Sequence, residues 1–469
     1  MRIRLFGATA IAALAWPHAA MAQGLSAEEA AQLRAEIAAL KAQVSKLESR
    51  LDGVEAAAAA PTPGAGAAGG APGTPAPAQV ASAAQPETKI GWKGSPLFSR
   101  GDASFKVKGR IQYDAGYVSA PKSVNDRAVG FSNELRRLRL GGEGKLGGGF
   151  GYKLETELSD NTVDLVDTYI TYEHGKWLVT LGNHNQFQSL DELISDTAGS
   201  VMERAAFTDA FGFERRLGLS VQYQNGPIFA QGGIFSDSAD SLTNASDGPN
   251  GGDENNSFGL DGRLVFAPKL GPVQLHLAGS YHWRDFKRLS ETPQRYRQRA
   301  FLHSINSRFL STQAIPAEGE SHYGAEAGAI MGQWHVAGEA HWLRVFRPGL
   351  ADPTFFGGYA EIGYYITKGD SRPYKAGIMG TADPKNPVSK GGPGAIQVNL
   401  RYDYLDMNDM GITGGKQNAY IAGIIWTPIN YLRFNMNYAH IRYDDAAILA
   451  GTRADYGVDV MGVRAELDF

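Results

Sequence analysis

Basic side chains recur at every second position in two stretches of the sequence. Lys106, Lys108 and Arg110 alternate with other residues, and Arg137 and Arg139 do the same further along the chain. A period of two places such residues on one face of a β-strand. Guanidinium groups bind phosphate oxygens through paired hydrogen bonds, and rings of basic residues select anions in pores. If the two stretches form neighbouring strands, their charged faces predict an anion-binding surface.

Acidic residues share these faces in similar number, so two interpretations stay open. In one, bases clustered on adjacent strands form an anion path. In the other, acids and bases pair into a polar wall with little selectivity. The period of two directs thirteen bases inward: Lys106, Lys108, Arg110, Arg137, Arg139, Lys145, Lys153, Arg216, Arg263, Arg284, Arg401, Arg433 and Arg464. Of these, the anion path is assigned to Lys106, Lys108, Arg110, Arg137, Arg139, Arg216 and Arg284. The acids predicted to face the same way are Asp114, Glu143, Glu155, Glu157, Asp261, Glu326, Glu339, Glu361, Asp403 and Glu466.

A long stretch between two strand patterns, residues 186–210, would narrow a pore if it folded inward. Its charged residues are Asp191, Glu192, Asp196, Glu203, Arg204 and Asp209. A single base among these acids argues against a constriction that selects anions. Residues 286–320 are instead rich in arginine, and they would either steer anions toward a pore mouth or bind anionic lipid headgroups.

Two short motifs match enzyme signatures by spacing alone. Gly142–Gly147 fits G-x-G-x-x-G, but a dinucleotide site needs a helix directly after it, and here one strand pattern leads into another. Ser119–Lys122 fits S-x-x-K without a helix or the supporting motifs of that family. We interpret both as turn and loop residues, so the sequence predicts no enzyme and no catalytic residue.

The ten histidines show no metal spacing such as H-E-x-x-H. His276 and His282 are an even number of residues apart, as are His335 and His341, so a strand would present each pair on one face. We interpret them as polar lining rather than as metal ligands. The chain has no cysteine, which excludes thiolate chemistry. No cofactor and no metal site are expected.

Strand-length segments with alternating apolar and polar residues fill the chain after Lys89. In one of them Leu432, Phe434 and Met436 alternate with Arg433 and Asn435. We count about 16 such segments of roughly 10 residues, an even number of the kind that outer-membrane barrels require. They cover residues 104–117, 134–146, 150–159, 163–174, 177–185, 212–224, 227–237, 256–267, 272–285, 321–331, 333–346, 355–367, 394–405, 417–427, 430–443 and 454–469.

The connections between these segments are of two kinds. Tight turns are predicted at Gly148, Asn225–Pro227, Pro268–Pro272, Met331–Gln333 and Thr427–Asn430, and long loops at 118–133, 238–255, 286–320 and 368–393. Short turns on one rim and long loops on the other are typical of bacterial barrels. The predicted fold is all-β, a transmembrane antiparallel β-barrel of about 16 strands. Its alternative is a soluble sandwich that buries the apolar faces in a dry core.

Aromatic residues near strand ends support a membrane setting. The predicted girdle contains Trp177, Trp334, Trp342, Trp426 and Tyr431. Phe469 ends the last strand, where an apolar ring would lie at the edge of the lipid. Closing the sheet would remove unpaired edges, which hydrocarbon penalises strongly.

Three regions precede the barrel domain, which is predicted to cover residues 89–469. Basic residues, a short apolar run and Ala20-Met21-Ala22 predict a signal peptide over residues 1–22. An apolar heptad pattern predicts an N-terminal α-helical coiled coil over residues 23–55, located in the periplasm, and a single amphipathic helix is the alternative. Residues 56–88 are mostly Ala, Pro, Gly and Ser and predict a flexible linker.

The order of motifs in the barrel domain resembles the phosphate-selective porin O and P family. The similarity rests on "GRIQYDAG", "NELRRLRLGGEGKLGGGFGYKLETEL", "VDLVDTYITY", "VTLGN" and "ERAAFTDAFGFERRLGLSVQY", followed by "GSYHWRDF", "YGAEAGAIMGQW", "GYAEIGYYIT" and "AIQVNLRYDYLD". The resemblance covers most of residues 98–469. It implies a trimer of sixteen-stranded barrels, each lumen narrowed by an inward loop and lined by basic residues.

The resemblance also assigns residues. The inward arginine of the family's first strand falls on Arg110, and the arginine pair of its second strand falls on Arg136 and Arg137. The period of two places Arg137 inside but Arg136 outside. The constriction loop differs from the family pattern because the run 198–202 carries no base, and His184-Asn185 stands where a base is common. Phosphate selectivity therefore does not follow from the resemblance.

The expected protein is a bacterial outer-membrane porin that passes small hydrophilic solutes, with a bias toward anions such as phosphate. The expected partners are two further copies of the chain, outer-membrane lipid, lipopolysaccharide and, through the coil, peptidoglycan. The net charge of −4 gives no reason to expect nucleic acid. The alternatives are a non-selective porin, a barrel that tethers the membrane to peptidoglycan, and an outer-membrane enzyme.

Overall fold

The computed structural model describes residues 87–126, 129–159, 162–239, 257–286 and 293–469. The predicted signal peptide and coiled coil, and the linker up to residue 86, lie outside the described residues. Within the described part, no helix is both long enough and apolar enough to cross a lipid bilayer.

The described chain is almost entirely β-structure. Its strands are β1 (Lys89–Trp92), β2 (Pro96–Arg100), β3 (Ala103–Ser119), β4 (Gly130–Gly147), β5 (Phe150–Glu157), β6 (Asp164–His174), β7 (Trp177–Asn185), β8 (Arg215–Asn225), β9 (Ile228–Phe235), β10 (Phe258–Phe266), β11 (Lys269–Leu270), β12 (Val273–Asp285), β13 (Arg297–Gln298), β14 (Leu310–Ser311), β15 (Gly319–Met331), β16 (Trp334–Phe346), β17 (Thr354–Tyr365), β18 (Tyr374–Lys375), β19 (Ile378–Met379), β20 (Ala395–Asp409), β21 (Ile412–Ile429), β22 (Leu432–Asp444) and β23 (Tyr456–Asp468). Two short helices, α1 (Leu190–Leu193) and α2 (Ala206–Ala210), lie between β7 and β8.

Sixteen of these strands pair antiparallel in a closed ring. The order is β3 to β10, then β12, β15, β16, β17, β20, β21, β22 and β23, and β23 pairs back onto β3. At the seam, the amide of Gly109 donates to the carbonyl of Phe469, and the amide of Phe469 donates to the carbonyl of Gly109. Closure leaves no long unpaired edge, as hydrocarbon requires. The predicted barrel and its strand number are confirmed.

The two faces of the strands differ as the sequence predicts. Large apolar side chains point outward: Leu181 is 59% exposed, and Leu140, Ile170 and Leu277 are similarly open. Charged side chains point inward, and Arg263 is only 2% exposed. This distribution is the reverse of that in a soluble sandwich, so that alternative is wrong. The girdle tryptophans Trp177, Trp334, Trp342 and Trp426 all lie on the exposed outer face.

The position of residues 366–394 corrects the predicted division into rims. Trp334, which follows the tight turn at Gly332–Gln333, pairs with Tyr364 near the end of β17. The chain therefore leaves β17 on the tight-turn rim, and residues 366–394 start there rather than among the long loops. On the opposite rim, β20 and β21 are joined by the two residues Met410 and Gly411. Each rim thus mixes long and short connections.

Candidate functional site

The residues between β7 and β8, 186–214, run through the interior of the barrel, and we call them the constriction loop. Its first helix is capped by Ser189, whose Oγ accepts a hydrogen bond from the amide of Glu192 at 3.2 Å. The amides of Leu190 and Asp191 begin this helix and have no acceptor within it. They donate instead to the carboxylate of Glu339 on β16, at 3.0 and 2.6 Å. Unpaired amides at a helix start favour a carboxylate partner, so they fasten the loop to the wall.

The second helix attaches to the same side of the barrel. The amide of Ala206 donates to Asp403 of β20 at 3.1 Å. Phe207 stacks on the imidazole of His341 with the ring centroids 4.4 Å apart. A Cβ atom added at Gly357 of β17 would lie 2.4 Å from Cβ of Phe207, so the glycine leaves room for the helix. The constriction loop therefore lies against β16, β17 and β20.

Two further segments fill this side of the lumen. Residues 293–318, the described part of loop 286–318 after Phe286, cover it from the rim where β3 ends, and there Phe309 stacks on Tyr443 of β22 at 5.1 Å between centroids. Residues 366–394 enter from the opposite rim, and we call them the inserted segment. Its Arg372 donates to Ser200 Oγ at 2.7 Å and to the carbonyl of Ala198 at 2.5 Å. The constriction loop is thus held on both sides.

The remaining space forms a cavity of about 620 Å³ beside the early strands. Arg110, Arg136, Arg137 and Arg139 all line it, so the structure brings together four of the predicted anion-path residues. The other four do not line it. Lys106 and Lys108 lie further down β3, where Lys108 is 3.9 Å from Glu143. Arg216 and Arg284 are directed toward Asp237, at 3.9 and 2.6 Å.

A β-bulge explains why Arg136 and Arg137 both reach the cavity. Gln112 of β3 pairs with Arg137, but the next residue, Tyr113, pairs with Leu135, so Arg136 is an extra residue on β4. A bulge places two residues opposite one and re-aims a side chain. Strict alternation, which placed Arg136 outside, is wrong here. The family resemblance had grouped Arg136 with Arg137 as an arginine pair.

The arginines of the wall face carboxylates of the constriction loop. Asp196 lies 2.7 Å from Nε of Arg137 and also pairs with Arg110. Glu203 lies 2.5 Å from Arg464 of β23 and 3.9 Å from Nε of Arg136. The loop therefore presents acid directly opposite the basic wall.

The charges that line the cavity balance. Its basic residues are Arg110, Arg136, Arg137, Arg139, Lys153, Arg204, Arg215, Arg299, Arg401 and Arg464. Its acidic residues are Glu155, Glu157, Asp164, Asp167, Asp191, Glu192, Asp196, Glu203, Asp209 and Glu214. Ten bases face ten acids, so the cavity has no formal excess of positive charge.

The ionisation of the loop carboxyls follows from their partners. Burial opposes ionisation of Asp196, yet Arg137 and Arg110 outweigh it and hold its pKa well below the ordinary value. Glu203 is also buried, and Arg464 and Arg136 lower its pKa to about 2. Glu192 differs, because burial outweighs Arg204, 3.2 Å away, and raises its pKa. At neutral pH Asp196 and Glu203 are charged. On acidification Glu192 is the first of these three loop carboxyls to take up a proton.

The residue pattern missed two participants, Asp167 and Arg215. Asp167 of β6 lies 2.5 Å from both Lys153 of β5 and Arg215 of β8, so it links these two strands of the wall. It sits at a second register shift, between β5 and β6, where Leu154 pairs with Thr168 and Thr156 with Leu165. A break in the period of two, with Asp164 and Asp167 three residues apart, is the sequence signal that could have indicated Asp167. Asp196 was recognised as a loop acid but not as the partner of the arginine row.

The closed barrel, its apolar exterior and its charged interior with an inward loop define a bacterial outer-membrane porin. The chain belongs to the family "Phosphate-selective porin O and P", which matches residues 105–469. Family and fold indicate a channel rather than an enzyme.

The chain is similar to the following known proteins. An uncharacterized protein of Caulobacter vibrioides is 55% identical over 463 residues, covering 97% of this chain and 93% of the relative. A loop L8 deletion mutant of OmpT, an outer membrane protein of Vibrio cholerae, has a similar fold with a TM-score of 0.50 at 8% identity, over 79% of this chain and all of that one. An anion-selective porin from Comamonas acidovorans gives a TM-score of 0.49 at 15% identity, over 78% of this chain and 100% of that one.

Proposed function

We propose that this porin lets small hydrophilic solutes diffuse passively along an off-centre path between the early strands and the constriction loop, with weak preference for the sign of their charge. The observation that carries this proposal is the balance of ten bases and ten acids around the cavity. A pore selects ions by the net charge and the field of its lining. A lining whose arginines are already paired with loop carboxylates attracts anions weakly.

A phosphate-type anion path is the second candidate. It is supported by four arginines on two adjacent strands that line one cavity, Arg110, Arg136, Arg137 and Arg139. Nε of Arg136 is buried and has no hydrogen-bond partner in the structure. An oxyanion is a suitable partner for a guanidinium fork, and binding there would compete with Glu203. The name of the family points to the same class of solute.

Ion currents through the purified protein in planar bilayers separate these candidates. For a weakly selective pore, the reversal potential in a salt gradient stays near zero and phosphate does not block chloride current. For a phosphate path, phosphate blocks the current, and Arg110→Ala and Arg137→Ala relieve the block. Lys108→Ala is the matched control, because it removes a base from the same strand outside the cavity. The absence of any ion current would overturn both candidates and support the tethering barrel.

We further propose that the chain acts as a homotrimer in the outer membrane, in contact with lipid and lipopolysaccharide. Residues 1–22 would serve as the signal peptide, residues 23–55 as a periplasmic coil that contacts peptidoglycan, and residues 56–88 as the linker to the barrel. Chemical cross-linking of the full chain and of a variant lacking residues 23–55 tests this arrangement. Loss of trimers only in the shortened chain assigns oligomerisation to the coil, whereas monomers in both overturn the proposed assembly.

A further inference from the structure

Two histidines and a glutamate meet on the inner wall, away from the arginine row. His282 of β12 and His322 of β15 are directly opposite each other in the strand register. Glu320 lies two residues before His322, on the same inward face of β15. Their donor atoms all lie within 4.8 Å of one another. The three side chains are almost completely buried.

We propose that His282, Glu320 and His322 bind one divalent transition-metal ion, with zinc as the expected ion. Oε1 of Glu320 lies 3.9 Å from Nε2 of His282 and 3.7 Å from Nε2 of His322. Ligands of tetrahedral zinc, bound at about 2.0–2.1 Å, are roughly 3.3 Å apart. Small side-chain rotations would bring the three atoms to this spacing, and a water molecule would complete the shell.

Hydrogen bonds from neighbouring residues orient two of the proposed ligands toward the metal position. Nδ1 of His282 is 3.0 Å from Oδ1 of Asp261 on β10, which fixes the ring and leaves the lone pair of Nε2 facing the other two ligands. The hydroxyl of Tyr296 donates to Oε2 of Glu320 at 2.7 Å, which leaves Oε1 for the ion. A carboxylate–histidine pair and a hydrogen-bonded carboxylate ligand are typical of metal centres.

The unpaired ring nitrogens of His322 are independent evidence that a ligand binds here. Both of its ring nitrogens are buried, and neither has a hydrogen-bond partner among the residues that the structure describes. Its ring neighbours Phe211 and Phe213 of the constriction loop, 5.9 and 5.4 Å away between centroids, offer no polar atom, and its third ring neighbour, 5.0 Å away, is the other proposed ligand His282. An unpaired buried polar group is costly unless something binds it. A metal at Nε2 would remove half of that cost.

The donor set favours zinc over calcium or magnesium. Imidazole nitrogens suit zinc, copper and nickel, whereas the alkaline-earth ions take oxygen ligands. The carboxylates of Glu320 and Asp261 together match the charge of a divalent ion. The site would join β12 and β15 to Tyr296 of loop 286–318 and lies against the end of the constriction loop. Its expected role is therefore structural, because it fixes two elements that cover the lumen.

Zinc binding to the full chain in detergent tests the proposal. Metal is first removed with a chelator. Calorimetric titration with zinc, and elemental analysis of the reloaded protein, should then both give one zinc per chain. His322→Ala and Glu320→Gln should weaken binding by at least about tenfold. Asp261→Asn, which removes the carboxylate that orients His282, should weaken it by roughly tenfold. Cobalt(II) should give the visible bands of a four-coordinate ion in the parent and lose them in His322→Ala.

His440→Ala is the matched control. This histidine contacts a carboxylate too, Asp459 at 2.8 Å, but it lies elsewhere on the barrel and is more exposed. A difference in migration between the unboiled and the boiled protein in a detergent gel shows which variants have folded. The proposal is overturned if the parent binds zinc substoichiometrically. It is also overturned if folded His322→Ala or Glu320→Gln binds zinc as tightly as the parent.

Discussion

Arg137 of β4 and Asp196 of the constriction loop form an ion pair across the lumen, with Nε and Oδ2 2.7 Å apart. The same carboxyl group pairs with Arg110 of β3. One loop carboxylate thus neutralises part of the basic charge that two adjacent strands contribute. We therefore expect the loop to influence the selectivity of this porin as much as the wall does.

Changing Asp196 to Asn should make the pore more selective for anions. The substitution keeps the size of the side chain but leaves Arg110 and Arg137 without their shared counter-charge. The anion-to-cation permeability ratio, obtained from reversal potentials, should rise at least about twofold. Asp352→Asn removes an acid near the rim that pairs with Arg344 and should leave the ratio unchanged. An unaltered ratio in Asp196→Asn would show that these arginines do not contact the permeating ions.

Mild acid should shift the selectivity in the same direction through Glu192. Because burial raises the pKa of this carboxyl, it takes up a proton at a higher pH than an ordinary glutamate. Asp196 and Glu203, whose pKa values are lowered, stay charged over that range. Lowering the pH from neutrality therefore removes negative charge at Glu192 before an ordinary glutamate would be protonated, and the anion permeability should rise.

The Glu192→Gln variant provides the comparison. It should show the raised anion permeability already at neutral pH and respond little to mild acid. A pH response in this variant equal to that of the parent would assign the effect to another group. The lowered pKa of Glu203 means that its ion pairs stabilise the folded loop at neutral pH and are lost only as the pH falls toward about 2.

The barrel could be predicted from the sequence because lipid imposes a strict period of two. Leu432, Phe434 and Met436 face outward, whereas Arg433 and Asn435 are buried inside, as their alternation predicts. Each strand carries this signal locally, so sixteen strands could be located without knowing their partners. The closing contact of β23 with β3 then follows from an even number of strands.

The charged site depends on features that alternation does not describe. Arg136 faces inward because of a bulge, and the only local sign is that Leu135 and Leu138 are three residues apart instead of two. The partners Arg137 and Asp196 are far apart in the chain, and no periodicity relates a strand to a loop that crosses the lumen. The same holds for His322, whose neighbours His282 and Glu320 meet only after strand pairing.

The inserted segment was assigned to the wrong rim because a short connection was overlooked. A long loop at 368–393 was expected on the same rim as the other long loops. The two-residue connection at Met410–Gly411 and the short one between β16 and β17 lie on that rim instead. Because antiparallel strands alternate in direction, counting them from β3 would have placed the segment on the tight-turn rim.

Removing Arg372 should release the constriction loop from the inserted segment. Its buried guanidinium donates to Ser200 and Ala198 and lies 3.8 Å from Glu361. Loss of one partner from a buried charged cluster costs about 3–5 kcal/mol. We expect Arg372→Ala to lower the midpoint of urea unfolding in detergent and to add current noise as the loop moves.

Two variants define this effect. Arg372→Lys keeps the charge but loses the fork geometry, so an intermediate loss of stability is expected. Lys390→Ala removes a base from the exposed end of the same segment and should resemble the parent. A quiet channel of parental stability in Arg372→Ala would show that the two elements are held together by other contacts.

The seam of the barrel leads to a prediction about assembly. A Cβ atom added at Gly109 of β3 would lie 2.3 Å from Cζ of Phe469, whose ring covers this glycine. Gly109→Val should therefore displace the terminal ring and destabilise the closed barrel by about 1–3 kcal/mol. Gly279 of β12 is the matched control, because its nearest neighbour for an added Cβ is 3.6 Å away, and Gly279→Val should fold normally.

A double-mutant cycle with Phe469→Ala identifies the cause. If the clash with the ring is responsible, Gly109→Val should add little to the loss already caused by Phe469→Ala, because the ring is then absent. The folded fraction on unboiled detergent gels and the midpoint of urea unfolding are the two measurements. Additive losses would mean that Gly109 matters to β3 itself, and that the final aromatic residue contributes to the barrel independently of the seam.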